Sequence, residues 1–192
     1  MLATTGIPLV TVPEGNAGPW RVERFTVEAN SPGMLYLSLK GRGIAPGTYT
    51  RLLHDRRGVV MSDTPAEMRD HQQFVWKAKG HCLINGLGIG MCVAAILQKP
   101  EVEKITVVEI DAHIVSLVGP HYASDPRVEI VNADAFEYRP PKGVRYGAVW
   151  HDIWDSICAD NLPEMHRLHR KYGRRADWQG SWCRYECERS IR

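Results

Sequence analysis

The chain has 192 residues, with 24 lysines and arginines against 22 aspartates and glutamates, and 44% of its residues are hydrophobic. These proportions are typical of a globular protein, and the length suits one domain with a small appendage rather than two full-sized domains. The net charge of +2 argues against a dedicated binder of phosphate backbones. Because no apolar run is long enough to span a bilayer and no secretory signal opens the chain, the sequence predicts a cytoplasmic protein without a membrane partner.

Residues 1–63 are predicted to form an N-terminal arm followed by a small module of β-hairpins. The first 19 residues are rich in Pro, Gly and Thr, which favours an irregular arm. Two hairpins are expected after it, because runs of β-branched and aromatic residues alternate with turn-forming residues. The four predicted strands are 21–29, 34–40, 48–54 and 59–62.

Residues 64–192 are predicted to form an α/β domain. Thr64, Pro65 and Glu67 predict a capping box that begins a helix ending near Lys79. Beyond this helix, short apolar runs alternate with helical segments, which indicates a parallel sheet covered on both faces. The strands are expected at 82–85, 104–110, 128–132 and 146–152, and the further helices at 89–98, 111–118 and 162–172.

A glycine-rich turn follows the first strand of this domain, in Leu-Ile-Asn-Gly-Leu-Gly-Ile-Gly at 83–90. Glycines at 86, 88 and 90 let the backbone turn tightly and approach a ligand without a Cβ in the way. Glu109 comes 23 residues after Gly86, at the end of the next strand, where a carboxylate can accept hydrogen bonds from ribose hydroxyls. Met91 stands where a dinucleotide fingerprint requires its third glycine, so NAD and FAD are disfavoured.

Residues 45–160 resemble class I S-adenosylmethionine-dependent methyltransferases, and most of all the spermidine synthase-like branch of that superfamily. The matching stretches are 83–90, 103–111, 125–128, 132–136 and 146–155. The resemblance implies a Rossmann-like sheet, a β-rich module before it, and S-adenosyl-L-methionine as the cofactor. It also implies that the glycines bind the amino-acid end of the cofactor, Glu109 its ribose, and the residues at 110, 134 and 135 its adenine. The implied cofactor-binding residues are Asn85, Gly86, Gly88, Gly90, Glu109, Ile110, Asp134 and Ala135. For Asp134, a role as a loop or helix cap is the alternative.

Two aspartates, Asp152 and Asp155, follow the fourth predicted strand, where open α/β sheets place reactive groups. In spermidine synthases an aspartate at this place binds and deprotonates the attacking amine, so the resemblance implies catalytic roles for both. His151 is a third catalytic candidate, as the base of an O- or N-methyl transfer, with a structural role as its alternative. Trp154 is expected either to contact the sulfonium by cation–π attraction or to pack in the fold.

The resemblance to spermidine synthases is incomplete at two places. The region that corresponds to their tyrosine–histidine–glutamate group reads Arg69-Asp70-His71-Gln72-Gln73 here, where the histidine alone is kept, and Ile153 and Trp154 replace small residues. These differences argue against a polyamine substrate. Three functions stay open: a methyltransferase with an unidentified acceptor, an aminopropyltransferase, and a non-catalytic cofactor-binding or interaction protein.

Metal and macromolecular partners have weaker support in the sequence. Cys183 with Cys187, and His166 with His169, imitate four zinc ligands, but the spacing is not a strong zinc pattern, so no metal is predicted. The basic cluster at 170–175 is expected to be a solvated helix end, with a nucleic-acid surface as the less favoured alternative. A homo-oligomer is possible.

The residues after Asp152 number 40, which is short for the end of a seven-stranded methyltransferase sheet. The sequence therefore predicts a shortened sheet of about five parallel strands without the antiparallel terminal hairpin. The missing strands often help to enclose the acceptor. Either the N-terminal module or a partner subunit is then expected to close the site, or the site stays open to a large substrate.

Overall fold

A computed structural model describes residues 6–28 and 43–190, which form two β-sheets and five α-helices. The elements in chain order are β1 (Gly15–Ala17), β2 (Trp20–Val27), β3 (Gly47–His54), β4 (Gly58–Ser62), α1 (Pro65–Lys77), β5 (Gly80–Asn85), α2 (Met91–Leu97), β6 (Val102–Glu109), α3 (Ala112–Ala123), β7 (Val128–Asn132), β8 (Ala148–His151), a 3-10 turn (Ala159–Asn161), α4 (Leu162–Tyr172), β9 (Gln179–Ser181) and α5 (Arg184–Arg189). No helix within these described ranges is long and apolar enough to cross a membrane.

The N-terminal sheet is antiparallel, in the order β1-β2-β3-β4. The prediction of an irregular arm is wrong for β1, and three arm residues, Ile7, Val10 and Val12, are buried in the main hydrophobic core. Asp63 explains part of this order, because its carboxylate accepts hydrogen bonds from the backbone N–H of Val10 (2.9 Å) and of Thr50 (2.6 Å). The predicted strand 34–40 lies outside the described residues.

Helix α1 begins at Pro65, as predicted, but its first turn is held differently. The Thr64 side chain makes no capping hydrogen bond to the helix. Glu67 instead accepts from the backbone N–H of Ser62 at 2.8 Å and from the Ser62 hydroxyl at 2.7 Å. The capping box is therefore wrong in its partner, because Glu67 reaches back to the last residue of β4. This contact joins the N-terminal sheet to the helix.

The second sheet has five strands, all parallel, in the order β7-β6-β5-β8-β9. This order is Rossmann-like, since the chain runs outward from β5 on one side and resumes at β8 on the other. The prediction of an α/β fold with about five parallel strands is confirmed. The fifth strand, β9, was not predicted. Gly180 at its centre lies under the rings of Trp150 and Trp178, so the strand shows no apolar alternation in sequence.

The two faces of the parallel sheet are covered unequally. Helices α1, α2 and α3 supply the main core on one face, where the Phe74 ring stacks on Trp150 with ring centroids 5.6 Å apart. On the other face, α4 packs Leu168 and Tyr172 against Leu83 of β5 and other buried residues. Both layers leave the carboxyl ends of the strands free to carry a site.

Candidate active site

A cavity of about 400 Å³ lies at the carboxyl ends of the parallel strands, around the point where the strand order reverses between β5 and β8. Open α/β sheets bind ligands at this place. Eight of the eleven site residues implied by the sequence line it: Gly86, Gly88, Glu109, Ile110, Asp134, Ala135, Asp152 and Asp155. Asn85, Gly90 and His151 are not among its lining residues.

Two glycines of the loop serve the packing of the protein itself. A Cβ on Gly86, whose φ is +99°, would lie 1.9 Å from the backbone oxygen of Asp152. A Cβ on Gly90 would lie 2.0 Å from the ring of Tyr122, whose hydroxyl donates to the backbone oxygen of Ile89 at 3.0 Å. Gly86 therefore lets β5 and β8 approach at the cavity floor. Gly90, implied as a cofactor-binding residue, instead packs against α3 outside the cavity.

Glu109 is a buried carboxylate at the end of β6. Its Oε2 accepts from the backbone N–H of Leu87 at 2.7 Å, and its Oε1 accepts from the backbone N–H of Asp111 at 2.9 Å. Burial raises the pKa of Glu109, while these backbone hydrogen bonds oppose the rise. The glycine loop and the start of α3 are thus held together by one carboxylate at the cavity wall. Beside it, Ile110 is 68% exposed and offers an apolar surface.

Asp134 closes its own loop and also lies at the cavity, while its contact with an adenine stays a prediction. Its Oδ1 accepts from the backbone N–H of Phe136 at 2.7 Å, which closes the loop after β7, and its side chain also lines the cavity. A second contact fixes the neighbouring loop, since the side-chain amide of Asn132 donates to the backbone oxygens of Glu109 (2.9 Å) and Ile110 (3.0 Å). The ends of β6 and β7 are therefore linked to each other at the cavity.

Asp152 lies on the floor of the cavity with a side chain that is 12% exposed. Burial raises the pKa of its carboxyl well above the ordinary value, and the nearby carboxylates of Glu67, Asp70 and Glu109 add to the rise. His71 lies beside this carboxyl, with its Nε2 3.8 Å from Asp152 Oδ2. A carboxyl with a raised pKa holds a proton more tightly than an ordinary aspartate does, which suits it to accept one.

The opposite wall of the cavity comes from the N-terminal module, through Trp20, Leu52, Arg57, Val60 and Met61. Arg57 pairs with Asp155 at 3.2 Å, and its guanidinium lies 4.8 Å from the centre of the Trp20 ring. The Trp20 indole in turn donates to Asp111 Oδ2 at 2.6 Å. Of the three expectations for enclosing the site, the geometry matches closure by the N-terminal module.

The sequence did not predict these wall residues, because no motif or periodic pattern connects them to the glycine-rich loop. They lie far from it along the chain and meet it through sheet packing alone. Trp154 and Trp182 also line the cavity, and the Trp154 indole donates to Glu164 at 2.8 Å.

His151 lies behind the cavity, fully buried between two amide side chains. Gln179 donates through its Nε2 to the backbone oxygen of His169 (2.9 Å), so its Oε1 faces His151 Nε2 at 3.4 Å and accepts from it. His151 Nδ1 then accepts from the Asn85 amide at 2.7 Å. Burial lowers the pKa of His151 to about 3. Both ring nitrogens are engaged by amide side chains, and neither His151, the predicted base, nor Asn85, a predicted cofactor contact, is a lining residue of the cavity.

The four residues that imitate a zinc site are not brought together as ligands. Arg184 donates to His169 Nδ1 at 3.2 Å and to His166 Nε2 at 3.4 Å, so both imidazoles serve a guanidinium. Within the described ranges, the side chains close enough to share a metal are a different group. They are His71, Cys92 and Asp152, whose ligand atoms lie within 4.8 Å of one another.

Comparison with known proteins gives partial similarities. No family model matches the chain. A stretch of 65 residues is 38% identical to Polyamine aminopropyltransferase 2 of Ralstonia nicotianae, covering 29% of this chain and 13% of the relative. Polyamine aminopropyltransferase 1 of the same organism matches at 38% identity over 65 residues, covering 12% of its length. The chain thus spans about an eighth of the length of these curated relatives.

Among solved structures, similar folds include a methyltransferase and a spermidine synthase. The putative RNA methyltransferase from Pyrococcus horikoshii is 13% identical, with a TM-score of 0.46 over 65% of each chain. The spermidine synthase from Thermotoga maritima is 20% identical, with a TM-score of 0.41 over 63% of this chain and 50% of that one.

Proposed function

We propose that this protein is an S-adenosyl-L-methionine-dependent methyltransferase whose acceptor binds beside Asp152. The observation that carries the proposal is one cavity with Glu109 on the wall of its glycine-loop side and Asp152 on its floor. The first carboxylate suits the ribose of an adenosine, and the second suits an acceptor group that must lose a proton.

The charge of the cavity supports a cationic cofactor. Its described lining contains six acidic side chains and one guanidinium: Glu67, Glu109, Asp111, Asp134, Asp152, Asp155 and Arg57. The four acids other than Asp152 and Glu109, whose pKa values are raised, already outnumber the guanidinium. Such a wall repels the pyrophosphate of a dinucleotide and favours a sulfonium and an ammonium group. S-adenosylmethionine carries both of these cations and no phosphate.

The residues around Glu109 fit the adenosine part of this cofactor. Each Glu109 oxygen accepts one backbone N–H, so lone pairs are left for the two ribose hydroxyls. Ile110 offers an exposed apolar surface for one face of the adenine, and Asp134 lines the same cavity. These residues would hold the nucleoside, while Gly86 and Gly88 leave room for the methionine end.

The chemistry assigned to the chain is positioning and proton transfer. When bound, the cofactor supplies a methyl group already activated by its sulfonium. Asp152 holds the acceptor N–H or O–H and takes its proton as the methyl bond forms, and its raised pKa suits that exchange. The walls formed by Trp20 and Trp154 exclude water and align the two reactants. His151 has no part in this mechanism.

Calorimetric titration with S-adenosylmethionine tests the cofactor, and methyl transfer from radiolabelled cofactor to candidate acceptors tests the reaction. We expect binding in the micromolar range and, for Asp152→Asn, retained cofactor binding with loss of transfer. The absence of binding at millimolar cofactor would reject the proposal. Binding without turnover over a broad set of acceptors would favour a non-catalytic cofactor-binding protein.

An aminopropyltransferase is the second candidate, supported by the 65 residues that match the two Ralstonia enzymes. The contact between Arg57 and Asp155 weighs against an aminopropyltransferase. The Arg57 guanidinium already pairs with the Asp155 carboxylate, which would otherwise be available to a second amino group of a polyamine substrate. Titration with decarboxylated S-adenosylmethionine and then with putrescine separates the candidates. Tighter binding of the decarboxylated cofactor and transfer to putrescine would replace the first proposal with this one.

A further inference from the structure

His71 and Cys92 form a buried group with Asp152, and neither of these two residues has a part in the proposed methyl transfer. The His71 Nε2, the Cys92 sulfur and an Asp152 carboxylate oxygen lie within 4.8 Å of one another. His71 is fully buried in α1, and its Nε2 has no hydrogen-bond partner in the described structure. Histidine, cysteine and aspartate are common metal ligands. A histidine can bind a metal only through a nitrogen that carries no proton, so the position of the His71 proton decides whether this group can bind one.

The hydrogen bond on the other ring nitrogen fixes that protonation. The Trp150 indole N–H donates to His71 Nδ1 at 3.1 Å, and an indole nitrogen can only donate. Nδ1 must therefore present its lone pair, and the proton of the neutral ring sits on Nε2. Histidines that bind metals show the reverse arrangement, with a free lone pair toward the metal and an N–H toward a supporting acceptor. His71 Nε2 is a donor, and the group is not a metal site.

The surroundings keep the His71 ring neutral and in place. Burial lowers the pKa of His71 to about 3. The His71 and Trp150 rings meet edge to face with centroids 5.8 Å apart, and Trp150 is itself stacked between Phe74 and Trp178. The indole that fixes the tautomer is thus held by core packing. The Nε2 that carries the ring proton lies 3.8 Å from Asp152 Oδ2.

The groups that face Asp152 explain why such a donor matters. Glu67 and Asp70 face it from α1 and Glu109 from β6, and all three carboxylates disfavour its ionised form. Cys92 faces it from α2 as a buried thiol whose pKa is raised well above the ordinary value by burial. His71 faces it from α1 as a neutral ring whose Nε2, the protonated nitrogen, lies 3.8 Å from Asp152 Oδ2.

We propose that His71 is a positioning residue, a permanently neutral donor set by Trp150 that orients the Asp152 carboxylate and favours its ionised form. The 3.8 Å between His71 Nε2 and Asp152 Oδ2 is longer than a hydrogen bond, and it closes to hydrogen-bond distance when the carboxyl ionises. The role of Asp152 in transfer rests on the proposed function. The tautomer of His71 and its effect on the Asp152 carboxyl do not.

Two variants of His71 separate a donor from a packing residue. His71→Gln places an amide nitrogen near the Nε2 position, whereas His71→Asn places its amide near Nδ1 and leaves Asp152 without a donor. We expect His71→Asn to raise the proton affinity of Asp152 about tenfold, one pKa unit, the size of a lost hydrogen bond to a charged group. His71→Gln should stay within about threefold of the wild type, because a donor is kept.

Two NMR measurements on the ligand-free protein supply the readouts. Long-range ¹H–¹⁵N correlation should show His71 as the Nε2–H tautomer, unchanged between pH 8 and pH 5. Carboxyl ¹³C titration, with Asp152→Asn to assign the signal, reports the proton affinity in each variant. If His71→Asn does not fold, Trp150→Phe removes the indole donor and keeps an aromatic ring, and His71 should then populate both tautomers.

Three results would overturn the inference: an Nδ1–H tautomer in the wild type, equal carboxyl shifts in the two His71 variants, or stoichiometric Zn²⁺ binding that Cys92→Ser abolishes. Failure of the proposed function looks different. In that case S-adenosylmethionine does not bind, while the tautomer and the carboxyl titration of the ligand-free protein still appear as expected.

Discussion

The two halves of the cavity are built in different ways. The cofactor half comes from the loops after β5, β6 and β7, which lie within 50 residues of sequence between Gly86 and Ala135. The acceptor half joins the loop after β8 to residues more than 60 positions away, such as Trp20 of β2 and Met61 of β4. One half therefore depends on local backbone geometry, and the other depends on how two sheets pack.

This difference also appears in the chemistry of the two walls. In the cofactor half, Glu109 and Asp134 are fixed by hydrogen bonds from backbone N–H groups of adjacent loops. In the acceptor half, Arg57, Asp155 and Trp20 hold one another through side chains that reach across the cavity. We expect changes in the first half to affect folding and cofactor affinity, and changes in the second half to affect the acceptor alone.

The largest effect is expected from Gly86→Ala. The new Cβ would lie 1.9 Å from the Asp152 backbone oxygen, so β5 and β8 must separate. The alanine would also have to adopt the φ of +99° that Gly86 has. We expect a loss of about 3 kcal/mol in the free energy of unfolding and no measurable cofactor binding. Urea unfolding followed by tryptophan fluorescence measures the first effect.

Gly143→Ala is the matched control for this change. Gly143 also has a positive φ, of +83°, but nothing lies within 4 Å of its Cβ position. Its loss should be about 1 kcal/mol, from backbone strain alone. Equal losses in the two variants would show that the close approach at Gly86 is unimportant.

Glu109→Gln is expected to weaken binding of S-adenosylmethionine by about 10- to 100-fold. The amide cannot accept from both backbone N–H groups and two ribose hydroxyls, and hydrogen bonds to a charged acceptor contribute about 1.5–3 kcal/mol. Calorimetric titration gives the change. Glu129→Gln, on the next strand and paired with Lys104 at 2.7 Å, removes an equal charge outside the cavity and should leave the affinity unchanged.

Acidification should weaken the fold through His151, which belongs to neither half. Its pKa is about 3 in the folded protein against 6.5 for the ordinary group, because burial disfavours the charged ring. The unfolded chain therefore binds the proton first, and stability present above pH 6.5 is lost as the pH falls below it. Between pH 7 and pH 5 this loss is about 2 kcal/mol.

The comparison with His151→Gln isolates this contribution from other titrating groups. The variant should lose about 2 kcal/mol less than the wild type over the same pH interval in urea unfolding. Its affinity for S-adenosylmethionine at pH 7.5 should stay the same. Weaker binding of S-adenosylmethionine in this variant would show that His151 takes part in the cofactor site after all.

The smallest effect on stability is expected from Arg57→Ala. The pair with Asp155 is exposed, with 46% and 42% of the two side chains accessible, and such pairs contribute about 0–1 kcal/mol. Cofactor affinity should not change. Transfer to the acceptor should change, and a new affinity for putrescine should appear as Asp155 is freed. Unchanged behaviour toward every acceptor would mean that the N-terminal wall takes no part in recognition.

Much of the fold follows from local patterns in the chain. The helix Leu162–Tyr172 and the strand Val128–Asn132 have the predicted bounds, because their apolar periodicity and flanking turn residues agree. The short strand β9 was missed for a physical reason. Its central glycine makes room for two indole rings, so burial there is supplied by Trp150 and Trp178 rather than by the strand's own side chains.

The candidate site also has one part that local sequence patterns predict and another part that they do not. The order of glycine loop, Glu109, Asp134 and Asp152 along the chain predicts one ligand edge, because the carboxyl ends of parallel strands meet there. The same order does not say where each side chain points. Asn85, Gly90 and His151 lie within two positions of lining residues, yet they contact other parts of the protein.

By itself the sequence determined the parallel α/β domain, the glycine turn and the acids at its strand ends, since these depend on local propensity and on the period of the apolar residues. The tertiary structure alone decided which module walls the acceptor side and which tautomer His71 adopts. Those features depend on contacts between residues far apart in the chain, such as Arg57 with Asp155 and Trp150 with His71. No local pattern encodes such contacts, because they arise when separately formed elements pack together.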